Sequence, residues 1–223
     1  MSQVATVRTL WIGIKSERPL KRISSYVGSP SKRILDLMLA LSLLITLSPI
    51  ILIIALAIKS TSPGPIFFRQ LRYGARQRPY VILKFRSMYH TQQVEHEVRQ
   101  ATQGDPRVTP IGRFLRKTSL DELPQLFNVI RGEMSIIGPR PHAVCHDDHY
   151  MRRIPQYARR FCVKPGITGL AQVCGARGET RTDGDMQRRI DLDIYYIENG
   201  SVLLDMKILI ATAHEVFFSA NAY

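Results

Sequence analysis

An apolar run from Leu37 to Ile58 constrains this chain more than any other feature. The run holds 22 residues without a charged side chain. At about 1.5 Å per residue, a helix of that length reaches about 33 Å, which is enough to cross a hydrocarbon core of about 30 Å. Length alone therefore predicts a transmembrane helix, although Ser48 and Pro49 interrupt the run at its centre.

The two flanks of the run argue against a simple crossing. Residues 1–33 contain seven basic side chains and one acid, and residues 59–86 contain seven basic side chains and no acid. Because Lys and Arg beside a hydrophobic segment stay on the cytoplasmic side, both ends are predicted to be cytoplasmic. A re-entrant helix meets this condition. Pro49 supplies a bend because it lacks an N–H, and the Ser48 hydroxyl can occupy the freed carbonyl. Taken alone, these residues leave a plain spanning helix open.

The charge balance points to a polyanionic partner. There are 31 Lys and Arg residues against 18 Asp and Glu residues, a formal net charge of +13. Nucleic acid, anionic lipid and a phosphorylated substrate all satisfy this charge. The three cysteines form no CxxC pair, which favours a reducing cytosol over a disulfide framework.

Turn signals divide the chain into three parts: a basic N-terminal tail over 1–30, a re-entrant membrane helix over 31–59 broken at Ser48 and Pro49, and a cytoplasmic catalytic domain over 60–223. The fold class predicted is α/β and mostly helical: a re-entrant membrane helix hairpin, and a compact cytoplasmic domain with a short β-hairpin and amphipathic interfacial helices. The hairpin joins strands over 66–73 and 80–85. Helices are predicted over 111–117, 123–131, about 142–161 with a break near Pro155, 186–197 and, amphipathic, 203–218.

Adjacent carboxylates at Asp121 and Glu122 are the first candidate for chemistry. Pro124 predicts that they lie in the first turn of a helix, where free N–H groups and the helix dipole would keep Asp121 ionised as a nucleophile. The same setting attracts phosphate, with Arg116 adding positive charge. The alternative is structural, because Ser119-x-x-Glu122 also reads as a capping box.

Other patterns leave further alternatives open. Arg140 stands between two prolines, so its guanidinium would be presented in a fixed direction that suits phosphate oxygens, or it is only an exposed turn residue. One predicted helical face carries residue types that bind zinc and would make a zinc hydrolase: His142, Cys145, His146 and His149. A membrane-tethered nucleic-acid-binding protein would explain the charge, but it predicts base-stacking aromatics among the basic residues and needs no adjacent carboxylates. On these residues alone, both classes stay open.

Five motifs in order carry a resemblance to a known family. They are Lys84-Phe-Arg-Ser-Met88, Asp105-Pro-Arg-Val-Thr109, Thr118-Ser-Leu-Asp-Glu-Leu-Pro-Gln125, Asn128-Val-Ile-Arg-Gly-Glu-Met-Ser-Ile-Ile-Gly-Pro-Arg-Pro141 and Lys164-Pro-Gly-Ile-Thr-Gly-Leu-Ala-Gln172. Over about residues 31–223 the chain resembles the bacterial sugar transferases, which are monotopic phosphoglycosyl transferases acting on polyprenyl phosphate.

The resemblance implies a reaction and a location. Such enzymes move a sugar 1-phosphate from a UDP-sugar to undecaprenyl phosphate and release UMP, at the cytoplasmic face of the bacterial inner membrane, as the first step of exopolysaccharide synthesis. It implies that Asp121 is the nucleophile, that Asp121 and Glu122 hold Mg²⁺, and that a covalent aspartyl-phosphosugar intermediate forms. It also implies an anchor bent at Ser48 and Pro49, and with this reading we expect no nucleic-acid partner. The basic flanks are expected to hold the domain against anionic membrane lipids. The oligomeric state stays open.

The substrate residues and the sugar are narrower expectations. Substrate binding is assigned to Lys84, Arg86, Arg116, Arg140, Gln172, Arg177 and Asp193. The residues 141–144, 177–180 and 221–223 are most similar to the branch that transfers glucose 1-phosphate, with galactose 1-phosphate as the alternative. The chain departs from that branch in lacking its usual N-terminal membrane helices, which suggests a minimal catalytic form. It also has Cys174 where the family commonly has Asn and Gly200 where it commonly has Trp.

Overall fold

A computed structural model describes residues 21–90, 104–176, 178 and 182–218 of the chain. Most of the predicted tail over 1–30 therefore lies outside the described residues, as do Arg177 and residues 221–223. The remainder forms one long apolar helix and a mostly helical domain with two small sheets.

The apolar run forms helix α1, Pro30–Thr61. Ser29 caps its start by accepting a hydrogen bond from the Lys32 N–H. The helix is continuous through Pro49, so the predicted break into two helices does not occur. The hydroxyl of Ser48 donates to the carbonyl of Ile45 at 2.8 Å, which is the acceptor that Pro49 leaves without an N–H. This compensation was predicted and is confirmed. Among the described residues, only α1 is long and apolar enough to cross a membrane.

Buried polar contacts hold the first turns of α1 on the domain. Asp36 accepts hydrogen bonds from the Ser135 hydroxyl at 2.7 Å and the Ile136 N–H at 3.1 Å. Lys32 lies between two carboxylates, 3.0 Å from Asp36 and 2.8 Å from Asp205. A buried charge requires such partners, so this cluster attaches α1 at a defined place.

The last turns of α1 pack on the same domain. Ile58 is buried in a cluster with Phe85 and Leu115. The guanidinium of Arg86 donates to the carbonyls of Ser62, at 2.7 Å, and Ile58, at 3.4 Å. Between these attachments the helix is exposed, with Ile45 at 75% exposure.

The predicted β-hairpin is confirmed. Strands β1, Phe67–Tyr73, and β2, Pro79–Phe85, pair antiparallel with Phe67 opposite Phe85. A short 3₁₀ turn, Ala75–Gln77, joins them.

Two helices and a two-stranded parallel sheet follow. They are α2, Pro110–Thr118, α3, Gln125–Arg131, β3, Ser135–Ile137, and β4, Gly166–Thr168. Gly132 ends α3 with a φ of 83°, a left-handed conformation that glycine adopts without strain. The C-cap predicted at this glycine is confirmed.

The predicted helix over about 142–161 is replaced by two shorter elements. Helix α4, Val144–Met151, begins after Ala143, whose extended backbone follows Pro141, and a 3₁₀ segment, Tyr157–Cys162, lies beyond Pro155. Proline disfavours helical geometry in the residue before it, which accounts for the interruption near Pro155, as predicted. The helices that complete the domain are α5, Leu170–Val173, α6, Asp183–Asn199, and α7, Val202–Phe218.

The helix predicted over 203–218 is present as α7, and both of its sides carry apolar residues. One side packs into the main core through Ile208 and Ala211. The other side carries exposed apolar residues, including Leu203, Met206 and Ile210. A second apolar surface, besides α1, is thus open on the domain.

Candidate active site

The two adjacent carboxylates lie in a short 3₁₀ turn, Leu120–Glu122, between α2 and α3. Ser119 enters this turn in a left-handed conformation with a φ of 59°, and its side chain makes no capping hydrogen bond there. The capping-box alternative is therefore wrong. The prediction of a first helical turn is also wrong, since α3 begins only at Gln125.

Glu122 is held by two cations from distant parts of the chain. Lys84, near the end of β2, places Nζ 2.9 Å from Oε1 of Glu122. Arg140, in the loop after β3, donates from Nη2 to Oε1 at 2.6 Å and from Nη1 to Oε2 at 3.3 Å. Burial lowers the pKa of Lys84, and the Glu122 charge opposes that shift. The structure thus brings together three of the predicted site residues.

Asp121 has very different surroundings from its neighbour. It is 8% exposed, and its side chain makes no hydrogen bond or ion pair with any residue in the described ranges. Burial raises the pKa of Asp121 to about 6; the Glu122 charge adds to the shift, and Lys84 and Arg116 oppose it. The helix dipole was expected to favour the ionised form. Burial has the larger influence on the pKa of Asp121, and the turn that holds Asp121 precedes α3. At pH 7 the carboxylate is still mainly ionised.

Arg116 lies in the last turn of α2 and is half-buried. Its charge acts on Asp121 by lowering the pKa of that carboxyl. Arg116 therefore adds positive charge close to the Asp121 carboxylate.

The other predicted substrate residues occupy different places. Arg86 binds the end of α1 instead of the carboxylate pair. Gln172 donates to the carbonyl of Ile167 at 3.1 Å, and Asp193 is buried against Arg160 at 2.9 Å. Arg177 lies outside the described residues. Substrate contacts by these four residues stay predictions.

His142, part of the predicted zinc-binding face, has a different environment from a metal ligand. Its ring is buried and Nδ1 lies 2.7 Å from the Tyr157 hydroxyl. Burial and the nearby guanidinium groups of Arg160 and Arg189 hold the pKa of His142 well below its usual value. Two guanidinium groups beside a neutral ring disfavour a bound cation. In the described part of the chain, no three His, Cys, Asp or Glu side chains are grouped to hold a metal.

The carboxylate pair has the donor chemistry that Mg²⁺ requires. Mg²⁺ is commonly bound through one or two carboxylates together with substrate phosphate oxygens. Asp121 offers a carboxylate with no protein partner among the described residues. Glu122 offers oxygens that already contact Lys84 and Arg140. The residues therefore fit an ion shared with a phosphorylated substrate better than one enclosed by protein alone.

Arg160 is the residue that sequence reasoning missed. It lies in the 3₁₀ segment Tyr157–Cys162 and is 4% exposed. Its neighbour Arg159 carries the same charge, and no spacing in the sequence distinguishes the two. Only the packing of this segment against α6 shows that the Arg160 guanidinium is the more deeply buried of the two.

The sequence of the chain is similar to those of known proteins. The profile of the bacterial sugar transferase family matches residues 27–219. The chain is 51% identical over 192 residues to the UDP-glucose:undecaprenyl-phosphate glucose-1-phosphate transferase of Klebsiella pneumoniae, covering 86% of this chain and 41% of that protein. A protein of the same name from Caulobacter vibrioides is also 51% identical over 192 residues, with 86% of this chain and 72% of the relative covered.

A relative with another named sugar is more distant. The UDP-N-acetylgalactosamine-undecaprenyl-phosphate N-acetylgalactosaminephosphotransferase of Aeromonas hydrophila is 42% identical over 191 residues, covering 86% of this chain and 44% of that protein. The chain thus spans about two fifths of the length of the Klebsiella and Aeromonas relatives. Because the family profile covers most of the chain, from the start of α1 through α7, the chain belongs to the bacterial sugar transferase family.

Proposed function

We propose that this protein transfers glucose 1-phosphate from UDP-glucose to undecaprenyl phosphate and releases UMP. The observation that carries the proposal is Asp121, a buried carboxylate with no protein partner in the described chain, beside a Glu122 held by two cations. Two relatives at 51% identity are named for this reaction.

In the first step an Asp121 carboxylate oxygen attacks the β-phosphorus of UDP-glucose. A bond forms from aspartate to phosphorus, the bond from that phosphorus to the bridging oxygen breaks, and UMP leaves with the electron pair. Burial favours the attack because few hydrogen bonds must be removed from the nucleophile. Lys84, Arg116 and Arg140 supply positive charge where two anions approach each other.

In the second step a phosphate oxygen of undecaprenyl phosphate attacks the same phosphorus. The aspartyl bond breaks, Asp121 returns as a carboxylate, and the lipid carries glucose through a diphosphate. Two sequential displacements at one nucleophile predict ping-pong kinetics.

We further propose that Asp121 and Glu122 hold Mg²⁺ together with the substrate phosphates. The ion would screen the repulsion between carboxylate and pyrophosphate and stabilise charge on the leaving UMP. Glu122 would then exchange its contact with Lys84 for the metal and keep its contact with Arg140.

We propose that α1 enters and leaves the membrane on the cytoplasmic face of the bacterial inner membrane. The support is that both ends of the helix contact one domain, through Asp36 at the start and Ile58 at the end, while the apolar middle is exposed. A spanning helix would place its ends on opposite sides of the bilayer, where one compact domain cannot contact both. The exposed apolar side of α7 and the basic flanks fit an adjacent surface of anionic lipid.

The reaction is tested by measuring UMP with purified protein in detergent, UDP-glucose, undecaprenyl phosphate and Mg²⁺. UDP-galactose and UDP-N-acetylgalactosamine are run in parallel, since one relative is named for the latter sugar. We expect UMP from UDP-glucose in preference to the others. No UMP from any of the three would overturn the proposal.

The covalent intermediate has its own test. Without undecaprenyl phosphate, labelled UMP should exchange into UDP-glucose, because the first step is reversible and needs no acceptor. The exchange should be lost on Asp121→Asn and retained when Asp183, an exposed residue of α6, is changed to Asn. Absence of exchange in an active enzyme would favour direct transfer.

A further inference from the structure

The loop that carries Arg140 is held mainly by its carbonyl oxygens. Pro139 and Pro141 on either side have no N–H to donate. The carbonyl of Pro139 accepts from the Gly166 N–H at 2.9 Å, and the Gly138 N–H reaches the Thr168 carbonyl at 2.9 Å. The carbonyl of Arg140 itself accepts from a side chain, Nη2 of Arg160.

Arg160 connects this carbonyl to helix α6. Its Nε donates to Oδ2 of Asp193 at 2.9 Å, on the side away from the loop. Its Nη1 donates to the Tyr157 hydroxyl at 3.0 Å and lies 3.1 Å from Nδ1 of His142. All three guanidinium nitrogens are engaged, and the planar fork fixes the angle between the contacts to Arg140 and to Asp193.

A contribution to stability does not explain the buried ion pair between Arg160 and Asp193. Arg160 and Asp193 are both almost fully buried, and a buried ion pair seldom stabilises more than a well-packed apolar pair of the same size. The contacts of Arg160 instead fix the direction of the short, stiff loop that carries Arg140, whose guanidinium must reach Glu122. The chain of contacts runs from Asp193 through Arg160 and the Arg140 backbone to Glu122.

We infer that Arg160 and Asp193 are positioning residues for Arg140, and that they keep its guanidinium on Glu122 during catalysis. The inference rests on the proposed function, because it takes Arg140 and Glu122 to be at the reacting phosphates. The inference gives Asp193 a role other than the substrate contact expected from the sequence, because its carboxylate binds Arg160.

The test variant is Arg160→Lys, which keeps the charge beside Asp193 and loses the fork that reaches the Arg140 carbonyl. We expect kcat for UMP release to fall between about 10-fold and 100-fold, as for a displaced catalytic group, with KM for UDP-glucose changed less than about threefold. Asp193→Asn should act in the same direction. If Asp193 instead binds substrate, its change will appear chiefly in KM.

The matched control is Tyr157→Phe. It removes a hydrogen bond from the same guanidinium, at Nη1, together with the hydroxyl contacts to Asp147 and His142. It leaves the contacts of Arg160 to Arg140 and Asp193 in place. Its kcat should stay within about threefold of the wild type. An equal loss in Tyr157→Phe and Arg160→Lys would mean general damage to the buried cluster and would overturn the inference.

Non-additivity separates positioning from an independent effect. In an Arg140→Ala background, Arg160→Lys should lower kcat by less than about twofold further, because the group that it positions is gone. A full additional loss would contradict the inference.

Hydrogen exchange gives a readout that does not depend on turnover. Peptides covering residues 138–143 should exchange faster in Arg160→Lys than in the wild type, and should be unchanged in Tyr157→Phe. Failure of the wild type to release UMP would overturn the proposed reaction, whereas unchanged exchange in Arg160→Lys would overturn the positioning role by itself.

Discussion

Asp121 and Glu122 are adjacent in the chain but are stabilised in opposite ways. Glu122 is a satisfied anion with Lys84 and Arg140 on its oxygens. Asp121 is buried without such partners among the described residues, which raises the pKa of its carboxyl to about 6. A nucleophile that is poorly stabilised in the resting enzyme gives up little stabilisation on reaching the transition state. Two predictions follow from this difference.

Replacing Asp121 with Asn should abolish turnover and raise the free energy of unfolding at pH 7 by roughly 1 to 2 kcal/mol. The amide avoids the desolvation of a buried charge. Because the pKa of Asp121 is higher in the folded than in the unfolded state, this cost is present above about pH 6 and disappears below about pH 4. Denaturant unfolding in detergent at pH 7 and pH 4 should therefore show a gain that shrinks at the lower pH.

Asp183→Asn is the control for that measurement. Asp183 forms an exposed ion pair with Arg153, so its loss should lower stability by less than about 1 kcal/mol and give no gain at pH 7. A net loss of stability in Asp121→Asn at pH 7 would contradict the account of Asp121.

The pH dependence of kcat/KM is the second prediction at this scale. Below about pH 6 the rate constant should fall close to tenfold per pH unit, because protonated Asp121 is not a nucleophile. Above that pH it should level off. Arg116→Met should move the midpoint to higher pH, since the Arg116 charge lowers the pKa of Asp121. A flat profile between pH 5 and pH 7 would show that Asp121 does not titrate there.

In the proposed topology, helix α1 is the element that relates the site to the membrane. Its attachment at both ends and its exposed middle match a segment that dips into one leaflet. The Ser48 hydroxyl supports the carbonyl that Pro49 leaves open, so the helix tolerates proline without an unsatisfied group in lipid.

Pro49→Leu should change the topology of this helix. Leucine restores the backbone hydrogen bond and favours a straight helix, which would direct one end of α1 toward the opposite face of the membrane. Single cysteines introduced at Ser31 and Ser60, in a background without native cysteines, report accessibility to an impermeant thiol reagent. In the wild-type topology both should react only from the cytoplasmic face. Identical labelling in Pro49→Leu would mean that the proline does not set the topology.

The start of α1 carries a separate stability prediction. Asp36→Ala removes the acceptor for Ser135, Ile136 and Lys32, and we expect a loss of about 2 to 4 kcal/mol in the free energy of unfolding. Thr61→Ala, on the same helix, removes a hydroxyl whose partners among the described residues are carbonyls of its own helix, and should change stability by less than about 0.5 kcal/mol. Equal effects would show that the Asp36 cluster contributes little.

At the scale of the whole molecule, the proposed membrane attachment combines apolar insertion with basic charge, and the two respond differently to salt. Insertion of α1 is insensitive to salt, whereas attraction of the +13 charge to anionic lipid is screened within about 3 Å at 1 M salt. Membranes that contain the protein should therefore retain it through a 1 M salt wash and release it in detergent. Release by salt alone would mean that α1 is not embedded.

The sequence by itself determined much at the local level. Hydrophobic length located α1, alternation and turn residues located the hairpin, and Gly132 marked the end of α3, because each depends on neighbours within a few residues. The carboxylate pair was also found from its motif. Predictions based on neighbouring residues failed where burial determined the backbone structure, as for the turn at Asp121 and the segment after Pro141.

Only the tertiary structure decided which charges meet. Lys84, Glu122 and Arg140 come from three separate elements, and the buried contact between Arg160 and Asp193 joins residues 33 positions apart. The sequence alone could not distinguish Arg86, which binds the end of α1, from Lys84, which binds Glu122. Local propensity acts through the backbone of adjacent residues, whereas electrostatic energy in a buried site depends on distances that only packing sets.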